Sequence, residues 1–331
     1  MTAKPCPVSP FQRPAALALR YRGHHPRRPP SCTAPAITPC RRWDWHVHEH
    51  DRPRPVPHPK DRIMTRSLPP AIVPCAMTVH APGAAAHART LDIAEETPVT
   101  LSFNGMAHGV MMATPLDLHD FATGFALTEG IIPDLAALKD VAVRAEADHA
   151  RVDMRIDGPS FHRLLARGRR AMAGRTSCGV CGTDARDVLD RPRRHVPDAP
   201  PDLAAVGRAL AALPGRQVLN ARARMLHAAA WCAPDGTIMQ VREDVGRHNA
   251  LDKLVGAGLR DGLDFGRGFC VITSRCSYEM AHKAIMAGMP GLVAVSAPTA
   301  RALRVAGQAG LYLIAPARTT SVMVPDLVVG K

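Results

Sequence analysis

Cys178 and Cys181 stand two residues apart in the stretch Gly174-Arg175-Thr176-Ser177-Cys178-Gly179-Val180-Cys181-Gly182-Thr183. Two thiols at that spacing in a glycine-bearing loop can approach each other and be approached by a partner's sulfur. Backbone N–H groups and Arg175 favour thiolate over thiol and so lower the pKa of the leading cysteine. Three chemistries compete. A zinc site needs two more ligands, and only His195 follows at a usable distance, so zinc is disfavoured. A thioredoxin-like dithiol opens a helix after a strand, whereas here a basic helical stretch precedes the pair. The third is sulfur carriage, in which one thiolate accepts a sulfane sulfur as a persulfide and hands it on. Two incidental surface thiols are the weakest reading, because exposed paired cysteines are open to oxidation.

Two further strings put polar side chains on strand-to-helix turns. In Arg242-Glu243-Asp244-Val245-Gly246-Arg247-His248-Asn249-Ala250-Leu251-Asp252-Lys253, Gly246 permits a tight bend and a helix start favours an anion. Arg247 and His248 could there contact a phosphate or an acidic partner; a capped helix start with a solvated charge run fits equally well. In Thr273-Ser274-Arg275-Cys276-Ser277-Tyr278-Glu279-Met280, the hydroxyls and Arg275 again suit phosphate. The plain alternative is N-capping by Ser274 or Ser277, with Cys270 and Cys276 as small core residues. A zinc deaminase needs His-x-Glu and Pro-Cys-x-x-Cys, and neither string occurs.

The elements that position these residues begin after a distinct arm. Residues 1–75 hold 13 Lys/Arg against 4 Asp/Glu and 16 of the 31 prolines, so most of the formal net charge of +13 belongs to this stretch. With no apolar period and repeated prolines it cannot bury enough surface to offset ordering entropy, and we expect a disordered extension over 1–76 before a domain over 77–331. Met64 and Met77 leave an over-extended start open. His46, His48, Glu49 and His50 could chelate a metal but read as solvated, and no metal site is expected. Because the basicity sits in the arm, nucleic-acid binding is not expected of the body. No apolar run nears ~18 residues, so no membrane span is expected. Nine cysteines, an odd number in a chain of this size, argue against a secreted disulfide scaffold and for a cytoplasmic address.

Order is expected to begin near Ala88. A strand over 98–103, the hairpin turn Asn104-Gly105 and a return strand over 108–113 lead into a helix capped by Thr114, with Pro115 at its first position. Phe121 and Phe125 mark its buried face and Gly130 its stop. One or two strands over 141–156 and a short basic helix over 162–172 precede the cysteine loop. A helix over 198–213 follows. From there strands over 226–232, 238–241, 269–273, 292–296 and 311–315 alternate with helices over 246–256, 277–287 and 299–308. That alternation predicts an α/β body over about 85–325, two subdomains joined through the Cys178 loop, with a largely parallel sheet. Chemistry in such sheets gathers at the carboxyl ends of the strands.

Taken together the strings resemble a known family. Pro98-Val99 with Asn104-Gly105, Met112-Ala113-Thr114-Pro115-Leu116-Asp117-Leu118, Thr128-Glu129-Gly130, Cys178-Gly179-Val180-Cys181-Gly182, the Arg242–Lys253 string and Ser296-Ala297-Pro298-Thr299 are similar to those of the formate dehydrogenase accessory sulfurtransferases, FdhD. The resemblance implies a cytidine deaminase-like layered α/β fold with a smaller N-terminal β-hairpin/helix subdomain. It implies a homodimer that takes sulfur from a cysteine desulfurase and passes it to the molybdenum or tungsten bis-pterin guanine dinucleotide cofactor of formate dehydrogenase, with no permanent cofactor of its own. Cys178 would hold the persulfide with Cys181 as its partner. Pro316, Ala317, Arg318, Thr319, Thr320 and Ser321 would contact the cofactor, and Arg247, His248, Arg275 and Arg318 its phosphates. A dithiol redox or zinc-binding module is the alternative. The chain departs from the family pattern at Asn220-Ala221-Arg222-Ala223-Arg224-Met225, where Phe and Thr-Gly-Gly are usual, and at Ala315-Pro316, where Gly-Phe is usual.

Overall fold

The structure, a computed structural model, describes residues 67–146, 148–168 and 194–325. Cys178, Cys181 and the arm over 1–66 lie outside the described residues. Strand β1 (Ile72–Val79) pairs antiparallel with β2 (His87–Ala94). Order therefore starts before Ala88. β1 is exposed along most of its length and is held by its ladder to β2, so it shows none of the apolar alternation that signals a half-buried strand.

β3 (Thr97–Phe103) and β4 (Met106–Ala113) form the expected hairpin. Asn104 and Gly105 between them take φ of 48° and 83°, the left-handed backbone that a two-residue turn requires. With β5 (Leu138–Ala145) and β6 (Ala150–Ile156) they make a four-stranded sheet in the order β4-β3-β6-β5. Helix α1 (Leu118–Thr128) packs on it with Phe121 and Phe125 turned inward, and α2 (Gly158–Gly168) follows β6.

The remaining described residues build the second large sheet, of five strands. Helix α3 (Leu203–Ala212) is capped by Asp202, whose carboxylate accepts the N–H groups of Ala204 and Ala205, and α4 (Val218–Ala223) follows it. Then come β7 (His227–Cys232), β8 (Ile238–Asp244), α5 (Arg247–Arg260), β9 (Phe269–Ile272), α6 (Tyr278–Ala287), β10 (Gly291–Ala294), α7 (Ala300–Ala309) and β11 (Tyr312–Ile314). The sheet order is β11-β10-β9-β7-β8; β9, β10 and β11 are parallel and β7 runs against its neighbours.

Period-two alternation sorts its side chains into two layers. Ala229, Trp231, Cys270, Ile272, Leu292, Ala294 and Leu313 face the main core, while Ala230, Cys232, Phe269, Val271, Val293 and Ile314 face a second cluster under α3. Both faces are covered, which is why these strands read as nearly continuous apolar runs. The main core also contains Val99, Leu101, Phe103 and Phe121, so the two sheets share one core.

Their junction is the contact of α1 with α5. A Cβ on Gly124 would lie 1.8 Å from the Asp252 carbonyl oxygen, and one on Gly256 would lie 1.9 Å from that of Asp120. Only glycine lets the two backbones meet there. No helix among the described residues is long and apolar enough to cross a membrane.

Candidate functional site

A cleft of about 540 Å³ opens at the ends of β9, β10 and β11. Its apolar floor comes from Leu210 and Leu213 at the end of α3, Leu226 before β7 and Val295 after β10. Gln217, Asn220, His227 and Thr273 supply polar edges, and Arg224 and Arg318 the cationic ones; no Asp or Glu is among the lining residues. This is the crevice that strand–helix alternation predicts at the carboxyl ends of a mostly parallel sheet.

Each wall has a local cause. After β11 the chain passes a cis Ala315–Pro316 peptide and turns back on itself. Arg318 N–H donates to the Ser321 carbonyl (2.7 Å) and Ala317 N–H to that of Ala294 (2.9 Å), which lays the turn over the end of β10. Ala317 is buried, whereas Arg318, Thr319, Thr320 and Ser321 are exposed. Of the six residues expected to contact a cofactor, Ala317, Arg318 and Thr319 line the cleft, while Pro316, Thr320 and Ser321 carry the turn.

The opposite wall is α4, which the sequence does not signal, since no residue of it is buried. The Glu243 carboxylate, reaching from β8, accepts the N–H groups of Leu219 (2.9 Å) and Asn220 (2.8 Å) and so serves this helix start. The Asn220 side-chain oxygen then accepts Leu226 N–H (3.0 Å), and Thr273 Oγ1 accepts Ala228 N–H (2.9 Å). His227 stands half-buried between them. Burial, then the nearby Arg247 charge, hold its imidazole below the usual histidine range, so it meets a ligand as a neutral group.

The Arg242–Lys253 string has a different fate from either reading of it. Asp244 and Lys253, both fully buried, pair at 2.7 Å. Asp244 also accepts N–H groups from Thr114 (3.0 Å) and Gly246 (2.7 Å) and the Asn249 side-chain amide (2.9 Å). Asp252 pairs with Lys283 at 2.9 Å and accepts the Thr128 hydroxyl at 2.6 Å. These residues are neither solvated nor free to bind an anion.

Thr114 is likewise not the cap of α1. Its hydroxyl accepts Val245 N–H (3.1 Å), and α1 starts after Asp117, which takes φ of 55°. Gly246 is extended (φ −99°) rather than bent; glycine is needed because a Cβ would lie 2.8 Å from Asn249 Nδ2.

Arg247, His248 and Arg275 are absent from the lining of the cleft. Arg275 is exposed after β9. His248 is buried, and burial first, then the Lys283 and Arg247 charges, push its pKa down to about 3. It can donate a neutral N–H but supplies no positive charge to a phosphate.

That depression has a consequence for stability. The unfolded histidine takes up a proton below its ordinary 6.5, the folded one only near 3. The stability present above pH 6.5 is therefore lost as pH falls through that window, at about 1.4 kcal/mol per unit from this group. Denaturant unfolding at pH 7 and pH 5 should show wild type losing ~2 kcal/mol that His248→Gln largely keeps. His227, also depressed, adds a residual slope in the same direction.

Of the cysteines at the described positions, Cys75 is exposed on β1, and the three buried ones do not compete for thiolate chemistry. Burial raises the thiols of Cys232 and Cys276 to about 12 and Cys270 well above its ordinary value, so all three stay protonated near neutral pH. Cys270 and Cys276 are thus small core residues, and Ser277 caps α6 by position without a side-chain hydrogen bond. Among the described residues no three His, Cys, Asp or Glu side chains converge as metal ligands.

Residues 94–324, a span that takes in both sheets and the whole cleft, match the model of the FdhD/NarQ family. The chain is 47% identical over 232 residues to the sulfur carrier protein FdhD of Chromobacterium violaceum, covering 69% of this chain and 86% of that one. It is 44% identical over 256 residues to the sulfur carrier protein FdhD of Xanthomonas euvesicatoria, covering 77% and 90%. The crystal structure of a protein from Desulfotalea psychrophila, named as a formate dehydrogenase accessory protein, superposes with a TM-score of 0.63 at 21% identity over 77% of this chain and 96% of that one. That likeness shows the same α/β fold. With the family's span laid over the cleft and both sheets, the chain belongs to the FdhD/NarQ family.

Proposed function

We propose that the chain is a sulfur carrier for formate dehydrogenase maturation, a sulfurtransferase acting in the cytoplasm. Cys178 accepts sulfur as a persulfide from a cysteine desulfurase and delivers it to the molybdenum bis-pterin guanine dinucleotide, which is the substrate here and not a resident group. The observation that carries the reading is the cleft itself: in an FdhD/NarQ member, the turn bearing Arg318 forms one of its walls. An apolar floor with amide, imidazole and hydroxyl edges suits a flat heteroaromatic base. Arginines without a carboxylate among the lining residues suit its diphosphate. The relatives at 47% and 44% identity bear the name sulfur carrier protein, which supports the same role.

The paired spacing assigns the chemistry to Cys178 and Cys181, and the buried thiols of Cys232, Cys270 and Cys276, which stay protonated, do not compete for it. In the loading step the Cys178 thiolate attacks the outer sulfur of the desulfurase persulfide. One S–S bond forms, one breaks and the desulfurase thiolate leaves, with no net oxidation. The test is an intact mass after incubation with a cysteine desulfurase and cysteine. The expected result is a gain of one sulfur atom per chain, removed by a thiol reductant. A bound zinc ion, or the loss of two hydrogens without added sulfur, would instead establish the metal-binding or redox alternative.

A further inference from the structure

Arg224 is held in a conformation that its side chain does not favour. It ends α4 at φ 56° and ψ 26°, left-handed backbone in a residue other than glycine. Polar pins impose this. Arg224 N–H donates to the Asn220 carbonyl (2.9 Å), Asn220 holds Leu226, Glu243 holds the start of α4, and Arg222 pairs with Asp92 at 2.8 Å. Such outliers gather where a side chain must be presented. Here the side chain presented is part of the lining of the cleft, and neither Arg224 nor Arg318 has a carboxylate partner among the described residues.

The sheet order sets the distance between the two. Arg224 enters beside the start of β7, and the Arg318 turn lies over the end of β10, with β9 between. Two strand spacings are about 10 Å, a gap that two arginine side chains reaching in from either side can close upon one diphosphate.

We propose that Arg224 is a second anion-binding side chain of the cleft, gripping the diphosphate of a nucleotide ligand from the wall opposite Arg318. The inference rests on reading the cleft as a nucleotide site. It assigns to the α4 wall a role that the turn after β11 cannot fill alone: with cations on both sides, the ligand is oriented with its base over the apolar floor.

The experiment titrates the full chain with GDP, guanosine and inorganic pyrophosphate at two salt concentrations by calorimetry. Arg224→Gly is the informative variant, because glycine takes the left-handed backbone without strain. Its Tm should match or exceed that of wild type. It should bind GDP about tenfold more weakly with a shallower salt dependence, and guanosine as well as wild type does. Arg318→Ala should lose a similar factor, and the double variant about a hundredfold. If Arg224→Gly binds GDP as tightly as wild type while Arg318→Ala does not, Arg224 holds no anion and the cleft reading stands without it. An equal loss for guanosine and GDP would also overturn the proposal, since the side chain would then act on the base or the wall. If the wild-type chain binds neither GDP nor pyrophosphate, the nucleotide reading of the cleft falls and this inference with it.

Discussion

Replacing Cys178 with alanine is expected to abolish both sulfur loading and formate dehydrogenase maturation, while Cys181→Ala still loads and delivers poorly. The asymmetry follows from the order of events. Under the proposed function the leading thiolate of the pair is the nucleophile that strips sulfur from the desulfurase, so its loss removes the first step and everything after it. Once formed, the Cys178 persulfide is more acidic than a thiol, and its outer sulfur can be handed on. Cys181 then shields the persulfide, or attacks the inner sulfur, releasing hydrosulfide and leaving a Cys178–Cys181 disulfide that a dithiol reductant would reopen. Neither route needs Cys181 for loading. The buried thiols of Cys232, Cys270 and Cys276 cannot substitute, since each is held protonated by its surroundings. Intact mass after desulfurase treatment reads loading, and dehydrogenase activity in cells lacking their own carrier reads delivery. Sulfur accepted by Cys178→Ala but not by Cys181→Ala would reverse the roles of the two thiols.

How far the sequence could be read depended on whether the determining contacts were local. Asn104-Gly105 announces its hairpin because the φ requirement lies within two residues. The strands and helices from His227 to Ile314 are legible to within a few residues, since burial on both faces leaves runs that turn residues interrupt. The cleft is legible in outline for the same reason, and Arg318 and Ala317 line it. What escaped depends on partners distant in the chain. Helix α4 buries nothing and is held by Glu243, so neither its existence nor the cleft role of Asn220 and Arg224 has a signature within its own stretch. Thr114 resembles an N-cap by position, yet its hydroxyl serves Val245, 131 residues away. The Arg242–Lys253 string reads as surface because its composition is charged. Only the pairing of Asp244 with Lys253, and of Asp252 with Lys283, makes its burial tolerable.

That pairing supports the second large effect. Lys253→Met should destabilise the domain by about 3–5 kcal/mol and lower Tm by roughly 10 °C. Methionine keeps the length of the side chain, so a cavity is not the cause. The ammonium that meets Asp244 at 2.7 Å and the Thr114 carbonyl at 2.9 Å is gone, and a fully buried carboxylate is left without its counter-charge. The Thr114 and Gly246 N–H groups and the Asn249 amide remain, which keeps the loss near the lower end of that range. Adding Asp244→Asn removes the orphaned charge while retaining a side-chain oxygen acceptor, and should recover part of the stability. Denaturant unfolding of the two variants reads the effect; a Lys253→Met within ~1 kcal/mol of wild type would mean that the N–H donors alone neutralise Asp244. The effect should also reach the cleft. Asp244 fixes the turn from β8 into α5, which carries Arg247; burial first and then the Arg247 charge hold His227 neutral at the cleft wall, while the Asp244 charge itself draws the His227 pKa up. At a temperature where Lys253→Met is still folded, His227 should therefore titrate closer to its ordinary value, readable in its ring proton shifts across pH. A histidine that titrates as in wild type would confine the buried pair to stability alone.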